Sequence, residues 1–174
     1  MKQPGIDESL VRELVSRQFP HWAGLPVKAI ATQGWDHRTF RLGTRLVARL
    51  PSAACYAGQV EKEHHWLPRL ARHLPVVVPA PVALGEPAAQ YPWRWAVNRW
   101  VEGEAPGREL ESPDLAASLA VFLLRLHAID SADGPTPGAP NFHRGGSLRA
   151  YHGEVREALS VLAGRVDAAA VVDV

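Results

Sequence analysis

The residues best suited to chemistry in this chain lie between Gln33 and Arg49, in the run Gln-Gly-Trp-Asp-His-Arg-Thr-Phe-Arg-Leu-Gly-Thr-Arg-Leu-Val-Ala-Arg. Gly34 opens a turn that carries Asp36, His37 and Arg38. Phe40 and Leu42 then alternate with Thr39 and Arg41 at strand spacing. Gly43-Thr44 reads as a two-residue hairpin loop of the II′ type. In the returning strand Leu46, Ala48 and Leu50 share one face, and Val47 and Arg49 share the other. A fixed cation thus sits beside an apolar residue, next to a glycine-opened loop. A purine between two layers and a phosphate beside a guanidinium would suit that arrangement. Taken alone, the hairpin favours the plainer reading, a solvated sheet edge entered by an ordinary glycine turn, and it is the chain downstream that shifts the balance.

The totals narrow the classes. The chain has 174 residues, 47% of them apolar, which suits one ordinary domain or one and a half small lobes. A formal net charge of +1 leaves no broad basic field for nucleic acid. Cys55 is the only cysteine, so no internal disulfide forms, in keeping with a reducing cytosol. The start, Met1-Lys2-Gln3-Pro4, leads into a charged helix and not into an apolar leader. The longest uncharged apolar runs, at 74–85 and 115–124, fall short of the ~20 residues a membrane span needs. The expectation is a cytoplasmic protein with neither nucleic acid nor membrane as partner.

Several elements must position the central hairpin. Residues 7–19 read as a helix capped by Asp7, with Leu10, Val11, Leu14 and Val15 on one side and Pro20 past its end. Residues 27–32 form a first strand. A helix over 58–72 follows the hairpin, with Val60, Trp66, Leu67 and Leu70 apolar and Pro68 expected to kink it. Glu61 and Glu63 lie in its first turns on different faces, so one can point at the sheet while the other stays in water. His64 and His65 are adjacent and make a poor metal pair. Short strands are expected over 82–85 and 93–100. Residues 101–107 break the pattern and mark a boundary. Ser112-Pro113-Asp114 is a strong helix start, and Leu115, Leu119, Phe122, Leu123 and Leu126 line that helix to His127. Loop fills 131–146, a second helix runs from 147 to about 162, and Asp167 starts a third.

Helix, three strands, helix, two strands, linker and helices is the order of a protein-kinase-like small lobe followed by the start of a helical large lobe. The fold class is therefore α+β: an antiparallel sheet with a helix over residues 1–100, a hinge over 101–107, and an incomplete, truncated helical lobe over 108–174. In that architecture a strand cation holds the α- and β-phosphates and an acid on the next helix orients it. Arg49 takes the place of the cation and Glu63 that of the acid. The cation is Arg where Lys is usual; it keeps the charge and adds a second donor, but it is bulkier and aimed differently. Val47, on the same strand face, is where an adenine ring would pack.

At this level of detail the sequence resembles the aminoglycoside phosphotransferase family. The resemblance rests on Gly34-Trp35-Asp36-His37-Arg38-Thr39-Phe40-Arg41-Leu42, Leu46-Val47-Ala48-Arg49-Leu50-Pro51 and Glu61-Lys62-Glu63-His64-His65-Trp66-Leu67. It continues in Val78-Pro79-Ala80-Pro81, Tyr91-Pro92-Trp93, Arg99-Trp100-Val101-Glu102-Gly103-Glu104, Leu126-His127-Ala128-Ile129-Asp130 and Asn141-Phe142-His143-Arg144-Gly145-Gly146. It implies ATP- or GTP-dependent transfer of phosphate to a hydroxyl of a small molecule, with Mg2+. It also implies a phosphate loop at Gly34–Arg38 and a base-binding hinge at Asn98, Arg99 and Trp100, where main-chain groups meet the purine edge.

The resemblance further implies a catalytic loop, His-Gly-Asp-x-x-x-x-Asn, and then an Asp-bearing metal motif; neither occurs in the chain. His127-Ala128-Ile129-Asp130 has the wrong spacing and ends a helix. His143-Arg144-Gly145-Gly146 lacks the Asp. The expectation is an amino-terminal portion of a phosphotransferase, with no catalytic residue and no metal ligand of its own, inactive alone and a weak nucleotide binder. Two other readings compete with it. One is a non-catalytic nucleotide- or partner-binding module, or the product of a decayed gene. The other is a generic α+β domain on which nucleotide has no effect. Residues 167–174 run on into apolar side chains, which disfavours a designed binding module.

Overall fold

A computed structural model describes residues 5–88, 90–103 and 113–172. The chain divides into two compact units, Met1–Ala132 and Asp133–Val174.

The first unit is built on a five-stranded antiparallel sheet: β1 (Val27–Ala29), β2 (His37–Leu42), β3 (Leu46–Pro51), β4 (Pro81–Gly85) and β5 (Trp95–Arg99). Its strand order is β1-β2-β3-β5-β4. Helix α1 (Glu8–Gln18) precedes the sheet, and α2 (Ala54–Ala71) lies between β3 and β4. Helix α3 (Pro113–His127) follows the sheet.

Register assigns the two faces. His37 pairs with Pro51, Thr39 with Arg49 and Arg41 with Val47. Val47 pairs in turn with Asn98, and Arg49 with Ala96. Residues opposite one another in an antiparallel pair share a face, so these side chains make one face, here called the front. Phe40, Leu42, Leu46, Ala48, Leu50, Val97 and Arg99 make the back.

The back face holds the main core. Leu10, Val11, Leu14 and Val15 of α1 pack in one cluster with Phe40, Leu42, Ala48, Leu50, Trp95 and Val97. Asp7 caps α1, accepting from the N–H groups of Ser9 at 3.0 Å and Leu10 at 2.9 Å. Gln18 brackets the other end, donating to the Glu86 carbonyl at 2.9 Å and accepting from the Glu86 N–H at 2.7 Å. The Trp95 indole lies over Gly85, its register partner, where an added Cβ would come within 2.0 Å of the ring.

Helix α2 makes its contacts with β3, β4 and β5, through the buried Val60 and through Glu63, which meets Arg49 of the front face. It begins at Ala54, before the expected residue 58, and runs through Pro68 to Ala71. The hairpin loop between β2 and β3 is Gly43-Thr44-Arg45, three residues where the sequence suggested two. Gly43 sits at φ +60, a left-handed conformation that glycine adopts without a Cβ penalty. The first strand ends at Ala29, short of the expected residue 32, and the fifth spans Trp95–Arg99 within the expected 93–100. Ser112, the expected cap of α3, lies outside the described residues, as do 104–107 of the expected boundary.

In the second unit, the helix expected over 147–162 divides into a 3-10 turn, Leu148–Tyr151, and α4 (His152–Val161). Helix α5 (Ala168–Val172) starts as expected after Asp167, whose carboxylate accepts from the N–H groups of Ala169 and Ala170. Among the described residues no helix is long and apolar enough to cross a membrane.

Candidate functional site

The front face gathers most of the residues singled out in the sequence. Arg49, from the middle of β3, forms a hydrogen-bonded ion pair with Glu63 of α2. Both side chains are about three-quarters buried, so the pair is held between sheet and helix. The other early acid of the helix, Glu61, points away and meets Arg94 at 3.0 Å. Two acids at this spacing do serve two environments.

His37 is buried against this pair, and neither ring nitrogen has a hydrogen-bond partner. Asp36 lies 3.5 Å from its Nδ1, a Coulombic neighbour and not a hydrogen bond. Burial, with the Arg49 charge adding to it, pushes the His37 pKa below the ordinary imidazole value, against the pull of Glu63 and Asp36. Partial burial opposes the charge on Asp36, but His37, the backbone and Arg49 outweigh it and hold that carboxyl low.

The loop before β2 is held by residues that the sequence did not single out. Gln33 donates to the carbonyls of Ile30 at 2.7 Å and Thr39 at 2.9 Å, and accepts from the Thr39 N–H at 2.8 Å. The Ser52 hydroxyl donates to the carbonyls of Trp35 and Asp36. Arg38 alternates to the back side of the strand and turns its guanidinium onto the Gly34 carbonyl at 2.7 Å. Gly34 itself has no left-handed φ, and a Cβ there would meet its neighbours at 3.4 Å or more, an ordinary distance. The fold alone therefore does not require glycine at this position.

Val47 is buried on the front face beside Asn98, whose Oδ1 is also buried and has no hydrogen-bond partner. At the end of β5 the main chain is partly committed. The Arg99 N–H donates to the Ala80 carbonyl at 2.7 Å and the Trp100 N–H to the Arg45 carbonyl at 2.9 Å. The Arg99 side chain lies on the back face, opposite Leu46.

Arg41 ties the hairpin to this segment. Its guanidinium stacks 3.9 Å over the Trp100 ring, meets Glu102 at 3.0 Å and donates to the Gly43 and Thr44 carbonyls. The Trp100 indole N–H and the Arg41 charge hold the Glu102 carboxyl below its usual range, although the indole contact falls short of a full hydrogen bond. No periodicity in the sequence signals this link.

The front face therefore offers a buried cation with an acid behind it, an apolar wall at Val47, an unpaired acceptor at Asn98 and a loop of fixed geometry. Those groups suit a purine with phosphates attached. No three His, Cys, Asp or Glu side chains among the described residues are grouped to hold a metal, so these residues do not fit a Mg2+ site.

Comparison with known proteins bears on the same region. The model of the phosphotransferase enzyme family matches residues 27–171. No curated protein matches the chain. Among solved structures, the GDP complex of wild-type aminoglycoside 2'-phosphotransferase-IIIa is 20% identical with a TM-score of 0.72, over 93% of this chain and 55% of that one. The GDP and kanamycin complex of APH(2")-IIia is 21% identical with a TM-score of 0.70, over 91% and 54%. The streptomycin–ATP complex of APH(2")-IIa is 18% identical with a TM-score of 0.57, over 90% and 51%. The chain thus shares their kinase-like fold and spans about half their length.

Proposed function

We propose, for a chain that belongs to the phosphotransferase enzyme family, that it supplies the nucleotide-binding lobe of an enzyme transferring a phosphoryl group from ATP or GTP to a hydroxyl of a small molecule. The observation that carries this reading is the Arg49–Glu63 pair, set between sheet and helix on the face that also holds Val47 and Asn98. Arg49 grips the α- and β-phosphates with its two donor edges, and Glu63 fixes the rotamer from which it does so. The base packs on Val47. Its edge meets carbonyls of residues 98–100, the Val101 amide or the buried Asn98 Oδ1, because the amides of Arg99 and Trp100 are already used.

The loop at 34–38 covers the phosphates. Since Gly34 has room for a methyl group in the fold, the close approach of a phosphate is the remaining reason for its lack of a side chain. Asp36, His37 and Arg38 shape the loop from inside. Solved structures of similar fold are complexes with GDP or ATP, and two of them with kanamycin or streptomycin as well. An aminoglycoside-like polyol or another hydroxylated metabolite is accordingly the class of acceptor. Mg2+ and the catalytic base belong to residues other than those described, and the chain by itself is inactive. Its first domain is the kinase-like lobe of residues 1–100, joined through 101–107 to helices of a second.

An affinity ladder tests this. ADP and GDP should bind more tightly than the corresponding nucleosides, by calorimetry, and Arg49→Met should erase most of that difference. Equal affinity for nucleoside and diphosphate in the unaltered chain would contradict the proposed role of Arg49.

A further inference from the structure

The back face of the sheet carries a cavity that the proposed nucleotide site does not use. Its volume is about 410 Å³, and it lies where the β2–β3 hairpin loop, the start of β3, the end of β5 and residues 22–25 meet. The volume is within the range of natural small-molecule sites, about 300–1,000 Å³. Leu42 and Leu46 form its apolar floor, and Trp22 and Leu25, which pack against the main core, form one wall. Arg45 and Arg99, both exposed, also line it.

What sets these two arginines apart from the other exposed arginines without an ion pair, such as Arg72 and Arg156, is that both line one cavity. Arg12, Arg17, Arg41, Arg49 and Arg94 each meet a carboxylate. Arg38 and Arg69 donate to main-chain carbonyls. Arg45 and Arg99 have no ion-pair partner among the described residues; Arg45 ends the hairpin loop beside Leu46, the register partner of Arg99, and both residues line the same cavity. Two like charges lining one cavity repel, only weakly where both residues are exposed to water. An anion between them relieves it. A carboxylate matches the planar fork of a guanidinium, and a ring attached to it would reach the Trp22–Leu25–Leu46 surface.

We infer that this back-face cavity binds a small amphipathic carboxylate, its acid held by Arg45 and Arg99 and its apolar body against Trp22, Leu25 and Leu46. The inference does not depend on the nucleotide reading, which concerns the opposite face.

The test is a titration of the whole chain with 2-naphthoate, and with neutral 2-naphthamide as its uncharged counterpart, followed by amide NMR. Naphthoate should give saturable shifts centred on residues 22–25, 42–46, 82 and 99, and naphthamide should bind at least about tenfold more weakly. Arg45→Gln should weaken naphthoate about fivefold, as befits one partly exposed charge contact, and the Arg45→Gln/Arg99→Gln double variant further still. The comparison of acid with amide uses the unaltered chain and so is independent of how either variant folds. Equal binding of acid and amide, shifts spread over the surface of α3, or no saturation would each overturn the assignment.

Discussion

Arg49 and Glu63 are the residues on which the functional account turns, and each has a distinct expected phenotype. Arg49→Met should weaken ADP roughly tenfold, the scale of one charge-assisted contact, and leave adenosine nearly unchanged. Glu63→Gln should retain the cation but free its rotamer, giving a smaller loss, roughly threefold, in the same titration. Gly34→Ala separates fold from function: unaltered melting temperature with weakened ADP binding is the expected result, because the added methyl meets only ordinary contacts in the fold.

His37 gives the chain a pH dependence with a definite sign. Its folded pKa lies below the ordinary value of 6.5, chiefly through burial. The unfolded chain therefore takes up this proton first as the pH falls. Its contribution to stability is complete above about 6.5 and is lost progressively below it, down through the folded pKa. Melting temperatures at pH 7.5 and 5.5 should differ by less in His37→Gln than in the unaltered chain. An equal or larger difference in the variant would remove His37 as the cause.

At the scale of elements, much was legible because the period of two is. Alternation in the run from Leu46 to Leu50 placed Arg49 and Val47 on one face, and the offset of Glu61 from Glu63 sent one acid inward, as their pairs with Arg94 and Arg49 record. What was not legible lacks periodicity. Gln33 and Ser52 hold loop carbonyls, and Arg41 reaches from β2 to Glu102; nothing in their spacing announces those partners. The length of the hairpin loop was missed because a glycine at φ +60 suits a three-residue loop as well as a two-residue one. The start of α2 was missed because Ala53 caps it without a side-chain hydrogen bond. Glycine at 85 has a cause that only the register with Trp95 exposes. Gly85→Ala should cost about 3 kcal/mol, or prevent folding, since the new Cβ would overlap the buried indole; chemical denaturation measures it. Gly43→Ala should cost less, about 1–2 kcal/mol, for its left-handed φ and for a new Cβ that would lie 3.2 Å from Leu25 Cδ2, a flexible side-chain end able to give way.

At the scale of the molecule, the sheet, α1 and α2 form a closed packing unit, whereas α3 is exposed along most of its length, including Leu115, Leu119, Leu123 and Leu124. Exposed apolar side chains of this kind favour association or poor solubility. The chain spans about half of the solved structures whose fold it shares, and the proposed enzyme needs groups that the described residues do not supply. Binding, and not turnover, is therefore the property by which this chain tests the account.

The most direct measurement is an amide NMR titration of the chain with ADP, repeated with Arg49→Met. The account predicts saturable shifts confined to residues 33–41, 47–49, 63 and 96–101, which weaken sharply in the variant. Saturable shifts elsewhere, or a response unaltered by Arg49→Met, would contradict the claim that the front face of this sheet is a nucleotide site.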